Sequence, residues 1–132
     1  MVIPVYRGEQ TLPALLSELE PLTHTTTTPA GRDYYIDEVL LVWDRGPGDS
    51  DQTIRDLAST FRWVRPVWLS RNFGQHAATL AGMTSSGGDW IVTMDEDGQQ
   101  DPAFIADMLD AAYAENAQLV YGTPANPPPP SA

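Results

Sequence analysis

The segment Gly88-Asp-Trp-Ile-Val-Thr-Met-Asp-Glu-Asp-Gly-Gln-Gln-Asp-Pro102 carries the deciding pattern. A short apolar run over 90–94 passes without a break into Asp95-Glu96-Asp97, and a helical pattern follows over 104–114. An apolar strand that ends in polar residues and leads to a helix is the repeating unit of an α/β sheet.

The same unit recurs upstream. A β-branched run over 1–6, broken by Pro4, precedes Leu12, Leu15, Leu16 and Leu19, whose three-to-four spacing predicts an amphipathic helix. A polar loop over 23–33, with its run of threonines and Gly31, leads to a second strand over 36–43. The Gly- and Asp-rich stretch 44–51 reads as a turn, with Ser50 or Asp51 placed to cap the next helix. That helix would bury Ile54, Leu57, Ala58 and Phe61. A third strand is expected over 64–69 and a helix over 73–86, where Ala77, Ala78, Ala81 and Gly82 permit close packing. A last short strand is expected over 119–121, then a proline-rich tail over 126–132. Continuous apolar strands alternating with helices imply a mostly parallel sheet flanked by helices on both faces. Ligands bind such sheets at the carboxyl ends of the strands. Glu9, Asp44, Arg71-Asn72 and Asp95-Glu96-Asp97 all fall just past a strand end, which predicts one shared site.

Composition narrows the function. The 132 residues fit one domain, and no cysteine is present, which excludes disulfides, zinc-thiolate sites and thiol nucleophiles. Eighteen acidic residues against seven arginines and no lysine give a formal net charge of −11. Such a surface repels phosphate backbones, so nucleic acid is not expected as a partner. A phosphorylated ligand would need a divalent cation between it and the protein. No apolar stretch reaches the length of a membrane span, and the start lacks the pattern of a signal peptide, so a cytoplasmic location is expected.

Asp95 and Asp97 are the first candidates. Two carboxylates this close repel unless a cation or proton lies between them, and their oxygens suit Mg²⁺ or Mn²⁺. Gln99 adds a neutral oxygen, so Asp95, Asp97 and Gln99 form the candidate metal set. A calcium loop of the EF-hand type is excluded because glycine falls fourth, at Gly98, rather than sixth. For Asp44 two roles are open: a hydrogen-bond acceptor for a ribose or base edge, or a turn aspartate bonded to its own backbone. Arg71 could meet a phosphate or pair with the acidic cluster. No Gly-x-Gly-x-x-Gly or Walker loop occurs, which disfavours NAD enzymes and P-loop NTPases.

Several segments taken together resemble family-2 glycosyltransferases, particularly the bacterial type similar to dolichyl- or polyprenyl-phosphate sugar transferases. Val-Ile-Pro-Val-Tyr (2–6) with Glu9 resembles that family's first strand and nucleoside loop. Leu-Ser-Arg-Asn-Phe-Gly-Gln-His-Ala-Ala (69–78) is similar to its S-R-N-F-G-x-x-A-A segment, 88–102 to its D-x-D region, and Val-Tyr-Gly-Thr (120–123) to the strand beyond. The resemblance implies a GT-A fold over 1–125, incomplete at the C-terminus, with the tail outside it. It implies a UDP- or GDP-linked sugar donor held by Pro4, Tyr6, Glu9, Val42, Asp44, Arg71, Asn72 and Glu96, with the metal on the diphosphate. It implies a lipid-phosphate or glycan acceptor, peripheral contact with a membrane, and a catalytic base beyond Ala132. Self-association through an open sheet edge is a further expectation. Trp43 stands where the family usually has the first of two aspartates, and Pro124 where relatives often carry arginine. A non-catalytic nucleotide-sugar-binding module and a nucleotidyltransferase are the alternative readings.

Overall fold

The computed structural model of the chain describes residues 1–96 and 101–117. The readings that fall on Asp97, Gln99, the strand over 119–121 and the boundary at 125/126 lie outside the described residues.

Strand β1 (Val2–Val5) is buried at all four positions. After helix α1 (Leu12–Leu19), a 3₁₀ turn (Glu20–Thr23) and two short strands, β2 (Thr26–Thr27) and β3 (Asp33–Tyr34), the chain enters β4 (Val39–Trp43). Helix α2 (Ser50–Thr60), strand β5 (Val64–Trp68), helix α3 (Gln75–Ser85) and helix α4 (Phe104–Ala114) follow. β1 pairs in parallel with β4, and β4 with β5. On the other flank of β1, the Val2 N–H donates to the Val92 carbonyl at 2.7 Å and the Met94 N–H to the Val2 carbonyl at 3.0 Å. The spatial order is therefore β5, β4, β1, then the 92–94 segment. The chain steps outward from β1 twice and then returns to its far side. β1 and 92–94 thus flank the point where strand order reverses, and a crevice opens there at their carboxyl ends.

Alternation of side chains across the sheet builds two cores. Ile3, Val5, Val39 and Leu41 pack with Leu12, Leu15, Leu16 and Leu19 of α1, Ile54 and Leu57 of α2 and Ile105 of α4. Val2 and Val42 face the other way and meet Ala78 of α3. The close approach of α3 depends on Gly82, where a Cβ would stand 2.9 Å from Val42 Cγ2 and collide more severely with Val2. Among the small residues of α3, Ala78 and Gly82 serve that contact, while Ala77 faces solvent.

Four local expectations are corrected. The strand expected over 36–43 begins at Val39, because Asp37 and Glu38 carry charge at the sheet's lower end. The strand expected over 90–94 forms a single bridge, Val2↔Thr93, since β1 starts at Val2 and leaves 90–91 without an opposite number. The expected loop over 23–33 contains β2 and β3 paired antiparallel. Buried Thr28 organises it, donating its hydroxyl to Asp110 at 2.6 Å and accepting the Arg32 N–H at 3.0 Å. Neither Ser50 nor Asp51 caps α2: Asp49 stands at the cap position without a side-chain bond, and the Ser50 hydroxyl is drawn inward.

β5 is an outer strand of the described sheet. Its centre is Pro66, opposite Leu41 in register.

Candidate functional site

At the carboxyl ends of the central strands lies a cavity of about 430 Å³ lined by Pro4, Val5, Tyr6, Asp44, Asn72, Gly74, Gln75, Asp95 and Glu96. A larger hollow of about 620 Å³ lies at the opposite end of the sheet, around Met1, Glu38, Trp90 and Tyr113. The smaller one is the candidate site, because it stands at the strand-order reversal and gathers polar groups from four separate strand ends.

Asp44 emerges from β4 and is nearly buried, at 4% exposure. Its Oδ1 accepts the Phe73 N–H at 2.8 Å and its Oδ2 the Gly74 N–H at 3.0 Å. The carboxylate thus holds the Ser-Arg-Asn-Phe-Gly segment against the end of β4. Gly74 has φ +93, a left-handed conformation that side chains disfavour, and this turns the chain into α3. Asn72 Oδ1 accepts the same Gly74 N–H at 3.0 Å. Arg71 is exposed, with its guanidinium 4.7 Å from the Phe73 ring centroid.

The β1 loop closes the other wall. Tyr6 is 42% exposed at the cavity. The Tyr6 and Arg7 N–H groups both donate to the Glu96 carboxylate, at 2.9 Å each. Beneath this loop the Ser50 hydroxyl, fully buried, accepts the Gly8 N–H at 2.9 Å and donates to Glu9 Oε2 at 2.7 Å. That hydroxyl, helped by Glu9's own backbone, holds the Glu9 carboxyl below its ordinary value. Gly46 is pressed on the Tyr6 backbone, so a Cβ there would lie 2.9 Å from the Tyr6 Cα and nearer still to its carbonyl.

Asp95 is exposed, and its Oδ1 accepts the Gln75 side-chain amide at 2.9 Å. Among the described residues no three His, Asp or Glu side chains converge as a metal-binding group. Asp95 supplies hard oxygen donors at the cavity rim, which is the ligand chemistry that Mg²⁺ and Mn²⁺ prefer. The Gln75 amide on one of its oxygens fixes how that carboxylate is turned.

The structure therefore brings together Pro4, Tyr6, Asp44, Asn72, Asp95 and Glu96 around one cavity. Glu9 and Arg71 are not among its lining residues, and Val42 is fully buried under α3. Sequence reasoning missed Gln75 and Ser50. Gln75 lay within the segment 69–78 whose pattern drew attention, but its partner is set only by folding.

The fold and the cavity define a GT-A domain, and structural comparison bears this out. The chain superposes on the mannosyltransferase PcManGT from Pyrobaculum calidifontis in complex with GDP-Man and Mn²⁺ with a TM-score of 0.59 and 19% identity, covering 73% of this chain and 26% of that one. Against S. aureus TarS 1-349 in complex with UDP the TM-score is 0.61 at 16% identity, covering 85% and 32%.

Residues 1–129 match the family described as Glycosyl transferase family 2, and the chain belongs to it. It is 38% identical over 113 residues to the undecaprenyl-phosphate 4-deoxy-4-formamido-L-arabinose transferase of Aeromonas hydrophila subsp. hydrophila, covering 85% of this chain and 32% of the relative. The enzyme of the same description from Klebsiella pneumoniae subsp. pneumoniae is 36% identical over 124 residues, covering 93% and 35%. The chain thus spans about a third of the length of these curated relatives. No helix among the described residues is long and apolar enough to cross a membrane.

Proposed function

We propose that this chain forms the donor-binding part of a glycosyltransferase, holding a nucleotide-diphosphate sugar for transfer to a polyprenyl phosphate. The observation that carries this is the convergence of Tyr6, Asp44, Asn72, Asp95 and Glu96 on one cavity at the strand-order reversal. The solved neighbours with GDP-Man and UDP support a UDP- or GDP-linked donor, and the relatives' undecaprenyl-phosphate transferase descriptions support the acceptor. In this reading the donor domain occupies 1–125, and 126–132 is a tail outside it.

Asp95, with Asp97 and Gln99 close by in sequence, would hold a divalent cation, Mg²⁺ or Mn²⁺; the neighbour solved with Mn²⁺ supports this. When bound, such an ion neutralises diphosphate charge and so favours departure of the nucleotide. The chain's own groups do the rest. Tyr6 offers a ring beside the nucleoside, Asn72 a polar side chain at the cavity wall, and Asp44 fixes the 71–74 backbone beneath. The base that deprotonates or orients the acceptor is not assigned to any residue of 1–132. Work at the membrane surface follows from the lipid acceptor.

Calorimetric titration of the chain with UDP and GDP, with and without Mn²⁺, tests the reading beside Asp97→Ala. Metal-dependent binding that the variant loses is the expected result. A folded chain that binds neither nucleotide would overturn the proposal.

A further inference from the structure

Glu96 lies between Asp95 and Asp97 in the sequence, and its carboxylate is committed to the other wall of the site. It accepts the N–H groups of Tyr6 and Arg7, two successive residues, at 2.9 Å each. Its carbonyl accepts the Thr11 hydroxyl at 2.6 Å, so the start of α1 is tied to the same residue. Tyr6 and Glu96 stand 90 positions apart in sequence. These bonds cross the crevice between β1 and the 92–94 segment, beyond their single bridge at Val2 and Thr93. A carboxylate gripping two adjacent amides fixes both position and orientation, because each bond is charge-assisted and the pair removes rotation.

We propose that Glu96 is a positioning residue that couples the metal side of the site to the nucleoside side, an inference that rests on the donor-site reading above. Its immediate neighbour Asp95 is a candidate metal ligand, and its partner Tyr6 presents a half-exposed ring to the cavity. A cation held at Asp95 acts through the adjoining Glu96 carboxylate on the Tyr6-Arg7 backbone. That backbone sets where the Tyr6 ring stands. Glu96 therefore acts on the donor through the β1 loop and not by touching the sugar. A carboxylate that merely solvated the surface would not take two amides 89 and 90 positions away. A plain structural staple would hold the same bonds, yet it would leave ligand coupling unchanged.

The test is a linkage measurement on the full chain, using a nucleoside, which carries no diphosphate for a bound cation to hold. Binding of uridine and guanosine is followed by NMR with and without saturating Mg²⁺, and Mg²⁺ binding is followed alone. In the wild-type chain Mg²⁺ tightens nucleoside binding by about fivefold or more, the range of ordinary site-to-site coupling. In Glu96→Ala that gain disappears while Mg²⁺ still binds. Glu96→Gln, which keeps one acceptor and the side chain's shape, retains part of the gain and covers the case in which the alanine variant fails to fold. A gain of equal size in all three proteins overturns the inference. So does wild-type protein that binds UDP or GDP in a metal-dependent way but shows no gain for the nucleoside, and the donor reading then still stands. A folded wild-type chain that binds no nucleotide removes both.

Discussion

The hydroxyl of Ser50 lies 2.7 Å from a carboxylate oxygen of Glu9, and the same hydroxyl accepts the Gly8 N–H at 2.9 Å. One small, fully buried side chain thus joins the first turn of α2 to the loop that follows β1. Ser50→Ala removes the acceptor of a buried N–H and the donor to Glu9 together. Leaving a buried donor unsatisfied costs about 1–3 kcal/mol, so denaturant unfolding should show a loss of that size. Ser50→Thr restores the hydroxyl but adds a methyl group to a closed site, and should recover only part of the loss.

Asp44→Asn keeps the shape of the side chain and removes its charge. A carboxamide can accept only one of the Phe73 and Gly74 N–H groups and turns its own NH₂ toward the other. The expected loss is about 2–3 kcal/mol, the scale of a bond to a charged group. Hydrogen exchange by NMR should show faster exchange at Phe73 and Gly74 while the amides of β4 stay protected.

Gly82→Val should destabilise more than Gly82→Ala, and both should destabilise. The alanine Cβ already meets Val2 and Val42, and α3 must lift off the sheet to admit it. Overpacking of this kind costs about 1–3 kcal/mol, and thermal unfolding of the two variants checks the order. A companion change, Val2→Ala, opens space on the facing strand and should lessen the penalty of Gly82→Ala.

Acid should weaken the fold through particular carboxyls. Asp110 is held below its ordinary value by the Thr28 hydroxyl, the Ala30 N–H and Arg32, and Glu9 by the Ser50 hydroxyl. A carboxyl with a depressed folded value adds stability that is fully present above the unfolded value of about 4 and is lost as pH falls through the folded one. Thermal midpoints should therefore hold steady from neutral pH to about 5 and fall below about 4. Asp110→Asn should flatten that fall, since it removes one of the groups that take up the proton.

The layered α/β plan was legible because each strand ends where polarity begins. Val39–Trp43 gives way to Asp44, and Met94 to Asp95, so periodicity and position agreed on where ligands meet the sheet. What escaped depended on partners distant in sequence. Ser50 looked like a helix cap from its neighbours alone, yet Gly8 claims it from 42 positions away. Thr28 looked like one threonine in a polar loop, yet its 2.6 Å bond to Asp110, with those of Ala30 and Arg32, docks the β2–β3 hairpin on α4. Asp44 was read two ways, as a ligand contact or as a turn aspartate. The fold gives it a third role, gripping a different loop 29 and 30 positions on.

Pro66 at the centre of β5 has a consequence for assembly. Leu69 N–H donates to Trp43 and Val39 N–H to Trp63, so the odd-numbered residues of this strand bond inward and Pro66 turns its nitrogen outward. A strand arriving from another molecule would find no donor at mid-length and a pyrrolidine ring in the way. Arg65 beside it is tied inward, to Glu38 at the head of β4 and to the Ser85 carbonyl at the end of α3. The sheet is blunted on this side against adding strands indefinitely. Where this domain does meet copies of itself, helices or loops are better placed than β5 to make the contact.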